Sequence, residues 1–435
     1  MDAVISRHRV GASAPPDDRL ERVIQYATPP MINRKASDYW TFPSSQLLGR
    51  PRGRFDRRTT HGRVPRCLIM RWQCTRKRLG DRRRLESKQC CSSLAPVTFF
   101  LENFVKPKPA AGMQPNTSCH SCGSAGALAY ADVPDRLFDL PGSWNFYRCS
   151  NIICASLWLD PQPKPDAVRR AHSTYYVHET GKSQRGLASR PLSALFRLAI
   201  RMFLHASGLT QEERNISDMH LGGLKPGRLL DLGCGDGEFA YRIRKWGWTV
   251  EGLDFDAGAA RLAEQRHGLK VNTCSVEEMA YPDDSFDAVT MSHVIEHLVD
   301  PLAALRNVHR ILKPGGSFIV VTPNAGSLGL RLFGPNWQAL DPPRHIHILS
   351  LHALETTVRA AGFENVSAYS TASRAWSTFA ASLRLAELPR VGVTRPSLRI
   401  LARAFALSFR EARMNLISCN AGEESVVVAR KRAAS

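Results

Sequence analysis

From residue 228 onward, apolar and polar positions follow two alternating patterns. Short apolar runs typical of strands recur as RLLDLG, TVEGLD, FDAVTMS, SFIVVTPN and SVVVARK. Between them lie longer segments with apolar residues at helical spacing, such as DAGAARLAEQRHG and DPLAALRNVHRILKPGG. Strands that alternate with amphipathic helices are typical of βαβ units on a parallel sheet. The pattern therefore predicts a doubly wound α/β domain with a mainly parallel sheet.

The rest of the chain divides by pattern into further segments. Residues 1–112 lack a sustained apolar period, so we expect a disordered extension there. Residues 113–165 contain four cysteines and predict a compact module, and 166–224 predict a helical linker or cap. The α/β domain takes residues 225–435, with an insertion at about 380–417 that predicts two basic amphipathic helices. We expect this insertion to cap the core; contact with a membrane surface or an apolar substrate is the alternative.

The net charge of +20 is concentrated at one end of the chain. Residues 1–112 carry 23 Lys and Arg against 9 Asp and Glu, so the charge says little about the domains that follow. We do not expect nucleic acid as a partner, and a basic nucleic-acid-binding arm is the alternative. Arg197 and Arg201 interrupt the most apolar helical segment, so no transmembrane segment is expected. With no export signal recognisable, a cytoplasmic location and reduced cysteines are expected.

The stretch RLLDLGCGDG joins a predicted strand to a predicted helix through three glycines. Since Gly233 and Gly235 lack a Cβ atom, a ligand can approach the backbone N–H groups at the helix start. The spacing is G-x-G-x-G, whereas dinucleotide-binding loops have G-x-G-x-x-G. Asp231 would repel a pyrophosphate but suits an ammonium group, and Asp254 ends the next strand, where a carboxylate accepts ribose hydroxyls. S-adenosylmethionine carries both an amino acid and a ribose.

Four blocks in this part of the chain resemble the class I S-adenosylmethionine-dependent methyltransferases: LLDLGCGDGEF, GLDFD, PDDSFDAVTMSHVIEHLVDP and LKPGGSFIVVTPN. A single glycine motif is a weak signal, whereas four blocks in family order are a strong one. The resemblance covers roughly residues 225–430 and implies a Rossmann-like fold with a seven-stranded, mainly parallel sheet. A domain that keeps this pattern as a non-catalytic scaffold is the alternative.

The resemblance implies cofactor-binding residues at three places: Asp231, Gly233, Gly235 and Gly237 in the glycine loop, Asp254 and Phe255 after the second strand, and Ser275 and Val276 further on. The loop would hold the methionine moiety, Asp254 the ribose and Phe255 the adenine. Family members often have an Asp that contacts the adenine amino group. Here CSVEEMAYPDDSF places Ser275 at that position, so a backbone contact from Val276 is expected instead.

Histidines supply the candidates for a general base. Methyl transfer from a sulfonium is an in-line displacement, so a base is needed only where the acceptor must lose a proton. His293 in SHVIEHL follows a strand end and is expected near the cofactor sulfur, while Glu296 and His297 fit catalytic and structural roles equally. WQALDPPRHIHILS predicts a loop and resembles a segment of the ubiquinone-biosynthesis O-methyltransferase-like branch. His345 or His347 is the preferred base; the alternative is that one packs inward and orders the loop.

The four cysteines of the 113–165 segment have the spacing of a metal site. CHSCGS and RCSNIIC form a C-x2-C and a C-x4-C pair, which predict zinc ligation by Cys119, Cys122, Cys149 and Cys154. Methyltransferases of this type often begin with such a zinc-ribbon-like module, although Ala155 stands where they usually have glycine. His120 is a substitute ligand, and loss of zinc from a vestigial ribbon is the alternative. We expect the zinc to be structural.

The sequence therefore predicts a methyltransferase that uses S-adenosylmethionine to methylate a small-molecule acceptor at oxygen or carbon. Methylation of nucleic acid or protein is the second hypothesis, and it rests on the basic extension and the ribbon. The third is a non-catalytic scaffold that binds S-adenosylmethionine. The intact carboxylates and glycines of the loop favour an enzyme.

Overall fold

The computed structural model describes residues 118–163, 168, 171, 190–388 and 396–433; the side chains of 190–194 are not described. The predicted basic extension, 1–112, lies outside these residues, as does most of 164–189. Eleven strands form two sheets in the described part of the chain. A seven-stranded sheet makes the α/β domain, and a four-stranded sheet contains the cysteine segment.

The seven-stranded sheet has the mainly parallel arrangement that the sequence predicts. Its strands are β4 (Arg228–Leu232), β5 (Thr249–Leu253), β6 (Val271–Asn272), β7 (Phe286–Ser292), β8 (Leu312–Pro323), β10 (Glu364–Thr371) and β11 (Glu424–Arg430). The spatial order is β10, β11, β8, β7, β4, β5, β6. Pairs from β8 to β6 are parallel, whereas β11 runs antiparallel to both its neighbours. The order reverses at β4, where open α/β sheets place ligands beyond the carboxyl ends of the strands. This confirms the predicted Rossmann-like, doubly wound fold.

Helices cover both faces of this sheet. They are α2 (Thr210–Ser217), α3 (Glu238–Arg244), α4 (Ala257–His267), α5 (Pro301–Ile311), α6 (Leu328–Phe333) and α7 (Leu351–Ala360). On one face α5 and α7 pack their apolar sides on buried residues such as Leu305, Val308 and Leu354. On the other face α3 and α4 bury Ile243 and Ala263. Each face therefore excludes water from the strands, as parallel sheets require.

Three helices form a separate apolar cluster next to the domain. They are α1 (Arg190–Ala206), α8 (Ala375–Glu387) and α9 (Leu398–Ser418). Phe203, Phe379 and Leu383 are buried where these helices meet. The expected insertion thus corresponds to α8 and α9, which pack as a cap. None of the described helices combines the length and the apolar character that crossing a bilayer requires.

The four-stranded sheet joins the cysteine segment to the α/β domain. Its first three strands are β1 (Gly126–Pro134), β2 (Ser143–Cys149) and β3 (Leu157–Leu159). The fourth, β9 (His347–Ile348), comes from the segment predicted to be a loop, and it pairs antiparallel with β3. That segment is buried, with Trp337 1% and His347 2% exposed. We call the segment with the four cysteines and strands β1 to β3 the ribbon. Because β9 completes its sheet, the ribbon and the segment that carries β9 form one structure.

Candidate functional site

The glycine loop follows β4 at the point where the strand order reverses. Gly233, Gly235 and Gly237 have φ angles of +70°, +54° and +78°, which side chains with a Cβ atom rarely adopt. A Cβ atom on Gly233 would also lie 2.3 Å from Cγ2 of Val294. Both the backbone conformation and the packing therefore require glycine at the first position of the loop.

Asp231 lies just before this loop and is buried beside the adjacent strand. Its Oδ1 accepts a hydrogen bond from Oγ1 of Thr290 at 2.8 Å. Burial raises the pKa of Asp231 to about 7, although the Thr290 hydrogen bond opposes the shift. A carboxylate that burial makes costly to ionise gains most from a cationic partner. An ammonium group bound here would supply that charge.

Asp254 follows β5 and holds the glycine loop in place. Its Oδ2 accepts from the backbone N–H of Gly235 at 2.9 Å, and its Oδ1 accepts from the N–H of Asp256 at 2.9 Å. Burial raises the pKa of Asp254 to about 6 against these two hydrogen bonds. Each oxygen keeps lone-pair capacity, so the carboxylate can also accept from ligand hydroxyls.

The residues predicted to contact adenine lie beyond the carboxyl ends of β5 and β6. Phe255 is 36% exposed next to Asp254, as a side chain that stacks on a ligand would be. Ser275 and Glu278 bond to each other through side chain and backbone, at 3.3 Å in both directions. Val276 is buried. Contacts from these two positions stay a prediction.

His293 does not have the environment of a general base. Its Nε2 lies 3.1 Å from Oε1 of Glu424, and its Nδ1 lies 3.4 Å from Oε1 of Glu296. Burial alone would lower the pKa of His293, but these two carboxylates outweigh it and raise the pKa to about 10. The ring is therefore cationic at neutral pH and has no lone pair for a proton. The prediction of a base at His293 does not fit this geometry.

Glu296, His297 and His345 meet next to the carboxyl end of β7. Glu296 accepts from Oγ1 of Thr322 at 2.9 Å, and its pKa is lowered to about 2 because contact with His293 outweighs the effect of burial. The rings of His297 and His345 have centroids 4.8 Å apart. Burial lowers the pKa of His297 to about 4, so this ring is neutral. One ligand atom from each of the three residues lies within 4.8 Å of the others.

His347 faces the ribbon and not the cluster. Its Nε2 donates to the carbonyl of Val299 at 3.3 Å, and its ring lies 4.7 Å from that of His120. Burial lowers the pKa of His347 to about 4. Of the two histidines preferred as base, His347 therefore fits the alternative of packing inward, whereas His345 lies in the cluster.

A buried ion pair fixes the segment that carries His345. The guanidinium of Arg344 donates to both oxygens of Asp135 at 2.9 and 3.0 Å and to Asp341 at 2.9 Å. Arg344 is fully buried, and Asp135, which follows β1, is 4% exposed. The carbonyl of Arg344 accepts from Nδ1 of His297 at 2.8 Å. One residue thus connects the ribbon to the histidine cluster.

The four cysteines lie close enough to share one ion. Sγ of Cys119 is 3.6 Å from Sγ of Cys154, and Sγ of Cys122 is 3.4 Å from Sγ of Cys149. All four are free thiols, and their sulfur atoms lie within 4.8 Å of one another. A tetrahedron with Zn–S bonds of about 2.3 Å places its sulfurs about 3.8 Å apart. The residues present therefore fit the predicted zinc.

Several residues of the site have no local sequence signal. Glu424 lies 131 residues from its partner His293. Glu423 accepts from Nε1 of Trp337 at 2.6 Å and from the N–H of Gly329 at 2.6 Å, and burial raises its pKa to about 7. Asp135 is separated from Arg344 by 209 residues. Only covariation between homologues could have indicated such pairs from sequence.

Together these features define an α/β domain of the kind that binds nucleotide-containing ligands. A glycine loop and two buried carboxylates lie at the carboxyl ends of its strands, where such domains bind their ligands. Comparison with known proteins gives the particular family. The methyltransferase domain family (Methyltransf_23) matches residues 210–368. The ubiquinone biosynthesis O-methyltransferase of Cereibacter sphaeroides is 30% identical over 36% of this chain and 69% of its own length. The chain belongs to the class I S-adenosylmethionine-dependent methyltransferases.

Other relatives match over shorter stretches. The ubiquinone biosynthesis O-methyltransferase of Alkalilimnicola ehrlichii is 39% identical over 24% of this chain and 44% of its own length. The chain thus spans about half the length of the curated relatives it matches. For a second relative, the matched stretch covers 55% of that protein's own length. Among solved structures, an S-adenosylmethionine-dependent methyltransferase from Archaeoglobus fulgidus is 20% identical. It covers 50% of this chain and 94% of its own, with a TM-score of 0.34.

Proposed function

We propose that the protein transfers a methyl group from S-adenosylmethionine to a small-molecule acceptor, at oxygen or carbon. The observation that carries this proposal is the pair of buried carboxylates, Asp231 and Asp254, on either side of a loop that requires glycine. Family membership supports the donor. The names of the ubiquinone biosynthesis O-methyltransferases support a small-molecule acceptor. The cytoplasm remains the proposed location.

The chain's own residues would bind the donor from both ends. Asp231 would accept from the ammonium group of the methionine moiety, next to the backbone of Gly233 and Gly235. Asp254 would accept from the ribose hydroxyls while it keeps the N–H of Gly235 in place. Phe255 would cover the adenine. The bound donor supplies an electrophilic methyl group, and these contacts would orient it for in-line attack.

Proton removal from the acceptor belongs to the cluster of Glu296, His297 and His345. His293 is cationic because it lies between two carboxylates. The ring of His347 packs against that of His120 in the ribbon. His345 donates from Nδ1 to the carbonyl of Ala339 at 2.7 Å, so the lone pair of the neutral form lies on Nε2. The cluster therefore provides an acceptor that the cationic His293 cannot, whereas the neutral ring of His347 lies against His120.

The ribbon would hold a structural zinc ion through Cys119, Cys122, Cys149 and Cys154. Three of these side chains are buried and one is exposed, and four thiolates are the ligand set of a structural zinc site. Zinc there would stabilise a segment that has only a small core of its own. Its sheet continues into β9, so the ribbon would also support the segment that carries His345.

Calorimetric titration of the full chain with S-adenosylhomocysteine tests the donor assignment. We expect binding by the wild type and at least a tenfold loss of affinity in Asp254→Ala, because the ribose and the loop lose the same carboxylate. Glu251→Gln is the matched control: this residue lies on the same strand but pairs with Arg228 at 2.7 Å. No binding by folded wild type would exclude the methyltransferase proposal.

The acceptor is tested separately, with labelled S-adenosylmethionine and extracts of small metabolites or nucleic acid. Transfer of label to low-molecular-weight products supports the proposal. Label found only in nucleic acid or protein would favour the second hypothesis, and salt-dependent binding to nucleic acid would accompany it. Donor binding without any transfer would indicate a scaffold.

A further inference from the structure

We propose that Glu296, His297 and His345 form a second metal site, which binds a divalent first-row transition ion. The three ligand atoms lie within 4.8 Å of one another. Glu296 and His345 are 0% and 2% exposed, so the site is enclosed by protein. It lies at the carboxyl end of β7, beside the glycine loop that follows β4, and is separate from the four cysteines.

The hydrogen bonds of both histidines prepare them as ligands. Nδ1 of His297 donates to the carbonyl of Arg344 at 2.8 Å, and Nδ1 of His345 donates to the carbonyl of Ala339 at 2.7 Å. A carbonyl can only accept, so the neutral form of each ring carries its hydrogen on Nδ1 and its lone pair on Nε2. Metal-binding histidines commonly use the second nitrogen in this way, which fixes both tautomer and orientation.

Glu296 supplies the third ligand. Its Oε2 accepts from Oγ1 of Thr322 at 2.9 Å, which anchors the carboxylate. Its Oε1 is buried and faces Nδ1 of the cationic His293 at 3.4 Å, which fixes the second oxygen. Each carboxylate oxygen has more than one lone pair, so Glu296 can bind an ion in addition to these partners. The backbone contributes as well, because the carbonyl of Glu296 accepts from the N–H of Ile346 at 2.8 Å and ties the two segments together.

The donor set indicates the class of ion. Two imidazole nitrogens and one carboxylate suit zinc, iron, cobalt or nickel, whereas magnesium and calcium prefer oxygen ligands. Two histidines and one glutamate are also the ligands of catalytic zinc sites that keep a position for water or substrate. The cysteine cluster has the four-ligand composition of a structural site. The two sites should therefore differ in metal preference and in spectrum.

The presence of the ion does not depend on methyl transfer, but its use does, and that part rests on the proposed function. An acceptor hydroxyl bound to the ion would lose its proton more easily than a free one. Since His345 would hold the ion through Nε2, water would take up this proton, and the cluster would promote proton loss as a metal site and not through His345 as a base. The site would favour acceptors with a hydroxyl or enol oxygen that can bind a metal.

Metal content and cobalt spectra of the full chain test this proposal. We expect two zinc ions per wild-type chain, and one in His297→Gln and in His345→Gln. His347→Gln is the matched control, because this histidine is equally buried in the same segment but faces His120. Cobalt in the cysteine site gives intense thiolate charge-transfer bands, whereas the second equivalent should add only weak visible bands that both variants lose.

The outcomes separate this inference from the proposed function. Loss of one equivalent in both variants, with retention in His347→Gln and unchanged binding of S-adenosylhomocysteine, supports the site. A metal content equal in the wild type and both variants would overturn it, even where donor binding is intact. Thermal unfolding of each variant identifies misfolding. If the histidine variants misfold, Glu296→Asp, which keeps the carboxylate, should retain only part of the second equivalent of metal. A metal content in Glu296→Asp equal to that of the wild type would also overturn the site.

Discussion

Burial favours the protonated form of the two carboxyl groups beside the glycine loop. Burial raises the pKa of Asp231 to about 7 and that of Asp254 to about 6. An aspartate in an unfolded chain has a pKa of about 3.9. The folded protein without donor therefore binds more protons, and the stability that these groups contribute is present below about pH 4 and is lost as pH rises through 6 to 7. A donor with an ammonium group should reverse this preference.

Affinity for S-adenosylhomocysteine should therefore depend on pH. Between pH 5.5 and 7.5 we expect the affinity to rise at least tenfold, because both carboxylates must be ionised to accept from the ligand. Calorimetry across this range measures the effect, and proton release on binding should appear as a dependence on buffer ionisation enthalpy. In Asp254→Asn the binding should be weaker and its pH dependence smaller. An affinity independent of pH in the wild type would contradict the assignment.

The sequence could place these residues together because their signals are local. Asp231, the glycines and Asp254 lie at the ends of two neighbouring strands, and the positive φ angles of the loop require glycine. His293 also has a local signal, but its charge state depends on Glu424, which is distant in the chain. The sequence alone could therefore place a histidine here and could not say that it is cationic.

At the scale of elements, the segment after Trp337 departs most from its sequence pattern. Two prolines and the absence of an apolar period predict a loop, and loops normally lie at the surface. Arg344 instead brings two aspartates into the core, and their combined hydrogen bonds compensate its burial. The helix before β8 shows the same limit on a smaller scale. It ends at Ile311, and the LKPGG turn, which the sequence assigns to the helix end, belongs to the strand.

Arg344→Met should strongly destabilise the protein. The substitution leaves Asp135 and Asp341 buried without their cation, which costs about 3–5 kcal/mol in comparable pairs. Denaturant unfolding measures the change. Arg403→Met is the control, because Arg403 and Glu387 form an exposed pair worth less than about 1 kcal/mol. Similar losses in both variants would show that the buried pair has no special role.

Over the whole molecule, the ribbon and the α/β domain form one structure through the β3 and β9 pair. Leu157 pairs with Ile348 and Trp158 with His347, so strands almost two hundred residues apart complete one sheet. The cysteine spacing predicts the ribbon because its ligands are close in sequence. The spacing contains no information about a partner strand as short as β9, so the sequence predicts the cysteine module and the α/β domain only as successive segments.

Disruption of the ribbon should therefore affect the segment beside the proposed active site. Cys122→Ser removes one ligand of the proposed zinc ion, and we expect a lower melting temperature and faster hydrogen exchange in both 118–159 and 337–350, since β9 loses its partner strand. Cys274→Ser, which replaces a half-buried free thiol away from the cluster, should change neither. Exchange measured by mass spectrometry on peptides from the full chain distinguishes the cases. Faster exchange limited to 118–159 would show that 337–350 is held by the α/β domain alone, and support from the ribbon would then play no part in positioning Arg344 and His345.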